Sequence, residues 1–157
     1  MTGFRVLVVD DEPLAVAMVA ALVREDGEVG QVIECNDPRL VRELIVKHEP
    51  HILFLDIEMP EIDGLQVARS IEEPGPVIVF TTAFSQYAVR AFDVSAVDYV
   101  LKPFSDQRLH EALERAKRRV RERHLSFSYF NDYRNNSQSQ AINASAVKFF
   151  LRPLSTK

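Results

Sequence analysis

The sequence predicts an α/β fold, a doubly wound (βα)5 three-layer sandwich with helices on both faces of one parallel sheet. Short apolar segments alternate along the chain with segments of helical period, and such alternation requires parallel strand pairing with right-handed crossovers. One segment, ILFL at residues 52–55, is apolar without interruption, which is typical of a strand buried on both faces. Carboxylates directly follow this segment and the first one, VLVV.

The N-terminal half contains three predicted strands. They are residues 5–9, 32–33 and 52–55. Pro13 suits the first turn of a helix, where its missing N–H would be unpaired anyway. The expected core-facing stripe of that helix is Leu14, Met18, Ala21 and Leu22. Asp37 and Pro38 have the form of an N-cap and a first helical residue. The stripe behind them is Leu40, Val41, Leu44 and Ile45.

The second half contains the last two predicted strands, at residues 77–80 and 97–101. Asp63 is the expected N-cap of a helix that ends before the Pro74-Gly75-Pro76 breaker. A short helix is expected around residues 87–92. Ser105 is expected to cap the last helix, whose core-facing residues would be Leu109, Ala112, Leu113, Ala116 and Val120. Its other face is basic and is predicted to be solvated: Arg115, Lys117, Arg118, Arg119, Arg121 and Arg123.

Charge and composition change towards the C-terminus. Residues 1–104 carry 8 Lys/Arg against 18 Asp/Glu, and residues 105–157 carry 11 against 5. An acidic body argues against nucleic-acid binding by the body itself. From Leu125 onwards Asn, Ser and Gln become frequent. Leu125, Phe127 and Tyr129 alternate with serine, so this segment also fits a β-strand. We expect one domain at residues 1–123 and an atypical polar and aromatic tail at 124–157, too short for a second domain.

The composition also bears on the compartment. No apolar run approaches the ~18 residues of a membrane span, and acids follow the first apolar run too soon for a signal peptide. The single cysteine, Cys35, excludes an internal disulfide. We therefore expect a cytoplasmic protein without a membrane partner. The histidines show no metal-ligand spacing and are predicted to lie at the surface: His48, His51, His110 and His124.

Polar side chains stand at the carboxyl ends of four predicted strands. They are Asp10, Asp11, Asp56, Thr82 and Lys102. Open α/β sheets bind their ligands at this edge. Crowded carboxylates repel one another, and a hard, oxygen-preferring Mg²⁺ ion would relieve the repulsion. A hydroxyl and an ammonium opposite the ion would stabilise a phosphoryl group. Each residue also has a simpler explanation, as a helix cap, a turn residue or a solvated lysine.

Four motifs carry a resemblance to a known family. VLVVDDEP, LFLDIEMPEIDG, VFTTAF and DYVLKPF resemble the receiver domain of two-component response regulators across residues 4–121. The run FSQYAVRAFDVSAVDYVLKPFSDQRLHEALERAKRR is similar to receivers of the LytTR (LytR/AlgR-type) family. The resemblance implies a flavodoxin-like fold with strand order 2-1-3-4-5.

The resemblance also implies a role for individual residues. Asp56 would accept a phosphoryl group from the phosphohistidine of a sensor histidine kinase. The implied Mg²⁺ ligands are Asp10 (through water), Asp11, Asp56 and the backbone carbonyl of Glu58. The implied phosphoryl contacts are Thr82, the N–H of Ala83, and Lys102. Thr82 and Tyr99 would form the switch, and the bond before Pro103 would be cis.

The implied function is signalling and not classical enzymology. Phosphorylation would alter the face formed by the helix around residues 87–92, the fifth strand and the last helix, through which the protein would form a homodimer or bind a partner. DNA would be reached only through an output domain, for which these 157 residues leave no room. The alternative is a Mg²⁺-dependent phosphatase of the haloacid dehalogenase type. A flavodoxin-like cofactor binder is disfavoured because no glycine-rich loop follows the first strand.

Overall fold

The computed structural model describes residues 2–87 and 94–136. The strands are β1 (Phe4–Val9), β2 (Val29–Cys35), β3 (Ile52–Asp56), β4 (Glu58–Met59), β5 (Ile62–Asp63), β6 (Val77–Thr82) and β7 (Asp98–Leu101). The α-helices are α1 (Pro13–Arg24), α2 (Val41–His48), α3 (Gly64–Arg69) and α4 (Asp106–Asn136). Two 3₁₀ turns are Pro38–Leu40 and Ser85–Tyr87. The predicted helix around residues 87–92 otherwise lies outside the described residues, as do residues 137–157 of the predicted tail.

Five strands form one parallel sheet in the order β2-β1-β3-β6-β7. This confirms the predicted fold class and strand order, since β4 and β5 form a separate antiparallel hairpin. That hairpin was not predicted. It lies directly after β3, so it shapes the loop that follows Asp56.

Both faces of the sheet are buried, and consecutive residues of β1 and β3 point to opposite faces. Val8 and Phe54 belong to the core cluster that includes residues of α1 and α4. Leu7 and Leu53 belong to the cluster that includes residues of α2 and α3. Because each strand supplies apolar residues to both layers, the alternation typical of a half-buried strand disappears and the apolar run is continuous.

The predicted stripe of α1 is wrong at Leu14, Met18 and Ala21, and only Leu22 packs against the core. Leu14 and Met18 are 80% and 63% exposed. The buried residues of the helix are Val16, Val19, Ala20 and Val23. Apolar residues lie on nearly all sides of PLAVAMVAALVR, so helical period alone allows more than one stripe. Packing against the sheet selects the one that contains β-branched valines.

The predicted core-facing stripe of the last helix is confirmed. All five of its residues are buried: Leu109, Ala112, Leu113, Ala116 and Val120. Its predicted solvated basic face is wrong at Lys117, whose side chain is only 2% exposed. The Lys117 ammonium lies 2.7 Å from Asp26 and 2.9 Å from Glu28, in and just after the turn that follows α1, and 2.5 Å from Glu114. These carboxylates compensate a charge that would be very costly to bury alone.

Residues up to Val120 form one compact unit, and the part of α4 beyond Val120 belongs to a second. The alternative prediction of a strand at residues 125–129 is wrong, because α4 continues as a helix to Asn136. Extending an existing helix costs far less than nucleating one, which outweighs the alternating pattern. Leu125, Phe127, Tyr129 and Tyr133 are exposed there.

The predicted N-caps at Asp37, Asp63 and Ser105 are confirmed. The N–H of Arg39 donates to Asp37, that of Leu65 to Asp63, and that of Arg108 to Ser105. Asp37 caps a 3₁₀ turn that precedes α2, which leaves Leu40 half exposed. His51 was predicted at the surface, but it is partly buried and its Nδ1 accepts the N–H of Arg5. No helix within residues 2–87 or 94–136 has the length and apolar character that crossing a bilayer requires.

Candidate functional site

Two neighbouring parallel strands bring the acidic residues together. Val9 of β1 pairs with Leu55 of β3, so the residues that follow, Asp10 and Asp56, lie side by side at the carboxyl edge of the sheet. Both are buried. Asp10, Asp11 and Asp56 offer carboxylate oxygens that all lie within 4.8 Å of one another. The predicted acidic cluster therefore exists among the described residues.

Lys102 supplies the positive charge of the site. It follows β7, two strands away from β3, and its Nζ lies 2.5 Å from Oδ2 of Asp10 and 3.5 Å from Oδ2 of Asp56. The backbone N–H of Lys102 donates to the carbonyl of Thr82 at 2.7 Å, which ties the residue to the end of β6. The peptide bond between Lys102 and Pro103 is cis.

The second oxygen of each buried carboxylate faces a loop amide. Oδ1 of Asp10 accepts the N–H of Glu12 at 3.0 Å, and Oδ1 of Asp56 accepts the N–H of Glu58 at 3.2 Å. These bonds orient both carboxylates without neutralising them. Glu12 occupies the N-cap position of α1 but makes no side-chain capping bond. The simple helix-cap interpretation therefore fails for Glu12.

Burial and charge shift the acidity of this cluster. Burial raises the pKa of Asp56 to about 6; Lys102 opposes the shift and Asp10 adds to it. Burial and the neighbouring Asp10 raise the pKa of Asp11. Burial alone would lower the pKa of Lys102, but the hydrogen bond to Asp10 and the charge of Asp56 outweigh it and raise the pKa. Near pH 7 Asp56 is thus mainly an ionised, nucleophilic carboxylate.

Gly64 lies against the backbone of the central aspartate. A Cβ at Gly64 would stand 2.1 Å from the carbonyl oxygen of Asp56 and 2.8 Å from Cα of Ile57. The N–H of Gly64 donates to the carbonyl of Ile57 at 2.7 Å. Only a glycine allows α3 to begin this close to β3, so Gly64 helps to set the position of Asp56. Nothing in the sequence pattern indicated this contact.

Thr82 and Tyr99 meet at the loop after β6. Thr82 is fully buried, and its Oγ1 accepts the N–H of Phe84 at 3.3 Å. The hydroxyl of Tyr99 donates to the carbonyl of Phe84. Ala83, which lies between Thr82 and Phe84 in the chain, is exposed. The two predicted switch residues are therefore joined through the backbone of one residue, Phe84, which was not among the predicted site residues.

This arrangement suits chemistry on a phosphoryl group. All ligand atoms of the cluster are carboxylate oxygens, which favour Mg²⁺ over softer metals. Asp56 offers a carboxylate nucleophile, and the ammonium of Lys102, 3.5 Å from it, can balance negative charge on phosphoryl oxygens.

The sequence profile described as the response regulator receiver domain matches residues 6–114. The chain belongs to the response regulator receiver domain family. Receivers are signalling domains and not classical enzymes, they partner with histidine kinases, and they typically bind Mg²⁺ at an acidic pocket of this kind. The haloacid dehalogenase alternative is not supported.

Curated relatives of this receiver are regulatory proteins. The transcriptional regulatory protein BtsR of Escherichia coli strain K12 is 41% identical over 114 residues, which are 72% of this chain and 48% of BtsR. The sensory transduction protein LytT of Enterococcus faecalis is 37% identical over 117 residues, 73% of this chain and 48% of LytT. These relatives support the resemblance to LytTR-type receivers. The chain spans about half the length of the curated relatives it matches.

Solved structures show the same fold. The response regulatory domain of protein mrkE from Klebsiella pneumoniae superposes with a TM-score of 0.66 at 30% identity, covering 75% of this chain and 98% of that one. The REC domain of AraT from Geobacillus stearothermophilus gives 0.67 at 27%, covering 79% and 99%. Both likenesses cover nearly the whole of the other domain, as expected for the same architecture.

Proposed function

We propose that Asp56 is the phosphoacceptor of this receiver and takes its phosphoryl group from the phosphohistidine of a sensor histidine kinase. The observation that carries the proposal is the position of Asp56: buried at the end of β3, within 4.8 Å of the Asp10 and Asp11 carboxylates and 3.5 Å from Lys102. An oxygen of Asp56 attacks phosphorus, a P–O bond forms as the P–N bond breaks, and the bonding electrons return to the imidazole nitrogen.

Asp10, Asp11, Asp56 and the carbonyl of Glu58 would hold Mg²⁺, which when bound neutralises phosphoryl oxygens. Burial keeps water away from the Asp56 carboxylate and strengthens its interaction with Lys102. Lys102, Thr82 and the N–H of Ala83 would bind the phosphoryl oxygens as charge develops on them. Lys102 must partly leave Asp10 to do so, and the metal would take over the compensation of that carboxylate.

Acetyl phosphate, a small phosphoryl donor, tests the assignment. Wild-type protein incubated with acetyl phosphate and Mg²⁺ should gain the mass of one phosphoryl group, and EDTA should prevent the gain. Asp56→Asn is isosteric and should gain none. Glu61→Gln, which removes an exposed carboxylate from the loop between β4 and β5, is the control and should still be labelled. Labelling of Asp56→Asn at the wild-type level would remove Asp56 from this role.

Phosphorylation would then change the face expected from the predicted helix around residues 87–92, from β7 and from the first turns of α4. Thr82 leaving the Phe84 amide for the phosphate would alter the loop to which Tyr99 is bonded. Such a change is a population shift between two states. The receiver would in this way control dimerisation or partner binding, and through an output domain the transcription of target genes. Light scattering with the phosphate mimic beryllofluoride tests whether the mass in solution responds.

A further inference from the structure

α4 is attached to the edge strand β7 by charged contacts that the proposed phosphorylation chemistry does not use. Asp98 opens β7 and its side chain is only 8% exposed. Arg108 of α4 binds both of its oxygens, with Nη1 2.9 Å from Oδ2 and Nη2 2.7 Å from Oδ1. Arg115, two turns further along α4, lies 2.8 Å from Oδ2. Asp98 thus holds two guanidinium groups of the same helix.

The two arginines differ in one contact. Nη2 of Arg108 also donates to the backbone carbonyl of Tyr99 at 3.1 Å, and no such bond joins Arg115 to Tyr99 among the described contacts. β7 stands at the edge of the sheet, where carbonyls on the outer side have no neighbouring strand. Arg108 therefore contacts the backbone of the switch residue itself.

A continuous series of hydrogen bonds runs from Thr82, at the carboxyl edge of the sheet, to Arg108. The N–H of Phe84 donates to Thr82 Oγ1, the hydroxyl of Tyr99 donates to the Phe84 carbonyl, and Arg108 donates to the Tyr99 carbonyl. Every member except Arg108 lies in β6, β7 or the loop after β6. Arg108 is the point at which the series enters α4.

We propose that Arg108 is a positioning residue that transmits the state of Thr82 and Tyr99 to α4, by binding the Asp98 carboxylate and the Tyr99 carbonyl at once. The planar guanidinium of Arg108 spans two acceptors, the Asp98 carboxylate and the Tyr99 carbonyl. If Tyr99 moves, the distance between these acceptors changes. α4 must then move with them, or Arg108 loses one of its contacts. Arg115 binds only the carboxylate and stabilises the helix in either state. This inference rests on the proposed function of Asp56.

Spatial continuity alone does not demonstrate coupling, so the test measures coupling directly. Amide hydrogen exchange is compared with and without beryllofluoride and Mg²⁺ in wild type, Arg108→Gln and Arg115→Gln. In wild type the exchange rates of residues 106–120 should change by about fivefold or more, the lower end of allosteric couplings. In Arg108→Gln that ratio should fall close to one while the response around Thr82 and Phe84 remains. Arg115→Gln, the matched control, should keep both responses.

Outcomes separate this inference from the proposed function. A wild-type response at α4 that survives Arg108→Gln would overturn the inference alone, as would its equal loss in Arg115→Gln. A wild type that responds neither at Thr82 nor at α4 would overturn the proposed function and the inference together. If Arg108→Gln fails to fold, Arg108→Lys replaces it. Lysine retains a charge beside Asp98 but lacks the planar fork that reaches both acceptors, so the α4 response should again be lost.

Discussion

The ammonium of Lys102 lies 2.5 Å from Oδ2 of Asp10, a residue 92 positions earlier in the chain. This pair joins the loop after β7 to the loop after β1 across the carboxyl edge of the sheet. It partly compensates a cluster of carboxylates that would otherwise be buried without a counter-charge. We therefore expect the same lysine to stabilise the metal-free fold as well as to serve the proposed phosphoryl site.

Removing Lys102 should destabilise the metal-free protein. In Lys102→Met the carboxylates of Asp10 and Asp56 lose their cation, and breaking a largely buried pair from one side costs about 3 kcal/mol. Urea unfolding at pH 7 in EDTA measures the loss. Lys47→Met, which changes an exposed lysine of α2, is the control and should stay within about 0.5 kcal/mol of wild type. Equal losses in the two variants would contradict a compensating role for Lys102.

Asp11 should contribute to metal binding and not to the stability of the metal-free fold. Its raised pKa shows that burial and Asp10 disfavour its charge, so Asp11→Asn should be as stable as wild type in EDTA or more so. Mg²⁺ at ten times its Kd should stabilise wild type by about 1.4 kcal/mol and the variant much less. Thermal melts with EDTA or millimolar Mg²⁺ measure both effects. A destabilised variant with an unchanged Mg²⁺ response would rule out Asp11 as a ligand.

Asp56 should make metal-free stability depend on pH. Its folded pKa of about 6 lies above the ordinary value of 3.8, so between these values the folded state binds the proton more tightly than the unfolded state. The free energy of unfolding should therefore fall as pH rises from 4 to 6, by about 3 kcal/mol from this group, and level off above pH 6. Subtracting the profile of Asp56→Asn, in EDTA, isolates the contribution. Parallel profiles would show that Asp56 is not perturbed.

Gly64 should be intolerant of a single methyl group. In Gly64→Ala the Cβ would meet the carbonyl of Asp56, and overpacking against backbone costs about 1–3 kcal/mol. Displacement of Asp56 should also slow labelling by acetyl phosphate. Gly27→Ala is the matched control, because nothing lies within 4 Å of a Cβ there. Urea unfolding and labelling rates of the two variants decide the matter, and a Gly64→Ala protein as stable as Gly27→Ala would contradict the contact.

The sequence by itself determined the five strands of the parallel sheet, their order by resemblance, and the polar residues at their ends. The position of Asp10, Asp56, Thr82 and Lys102 could be predicted because each ends or follows a short apolar strand, and parallel strands bring such ends to one edge of the sheet. The caps at Asp37, Asp63 and Ser105 could be predicted for a related reason. Each is a contact between residues only two or three positions apart.

The tertiary structure alone decided which face of α1 is buried, that Lys117 is enclosed by three carboxylates, and that Arg108 joins Asp98 and the Tyr99 carbonyl. The same holds for the fit of Gly64 against Asp56. Lys117 lies about 90 residues from Asp26 in the chain. The helical period predicted that Lys117 is solvated, because a period describes only residues of the same helix and not the segments that pack against it. Burial and charge compensation depend on which distant segments pack together. These contacts of the receiver were therefore decided by its tertiary packing and not by any local sequence pattern.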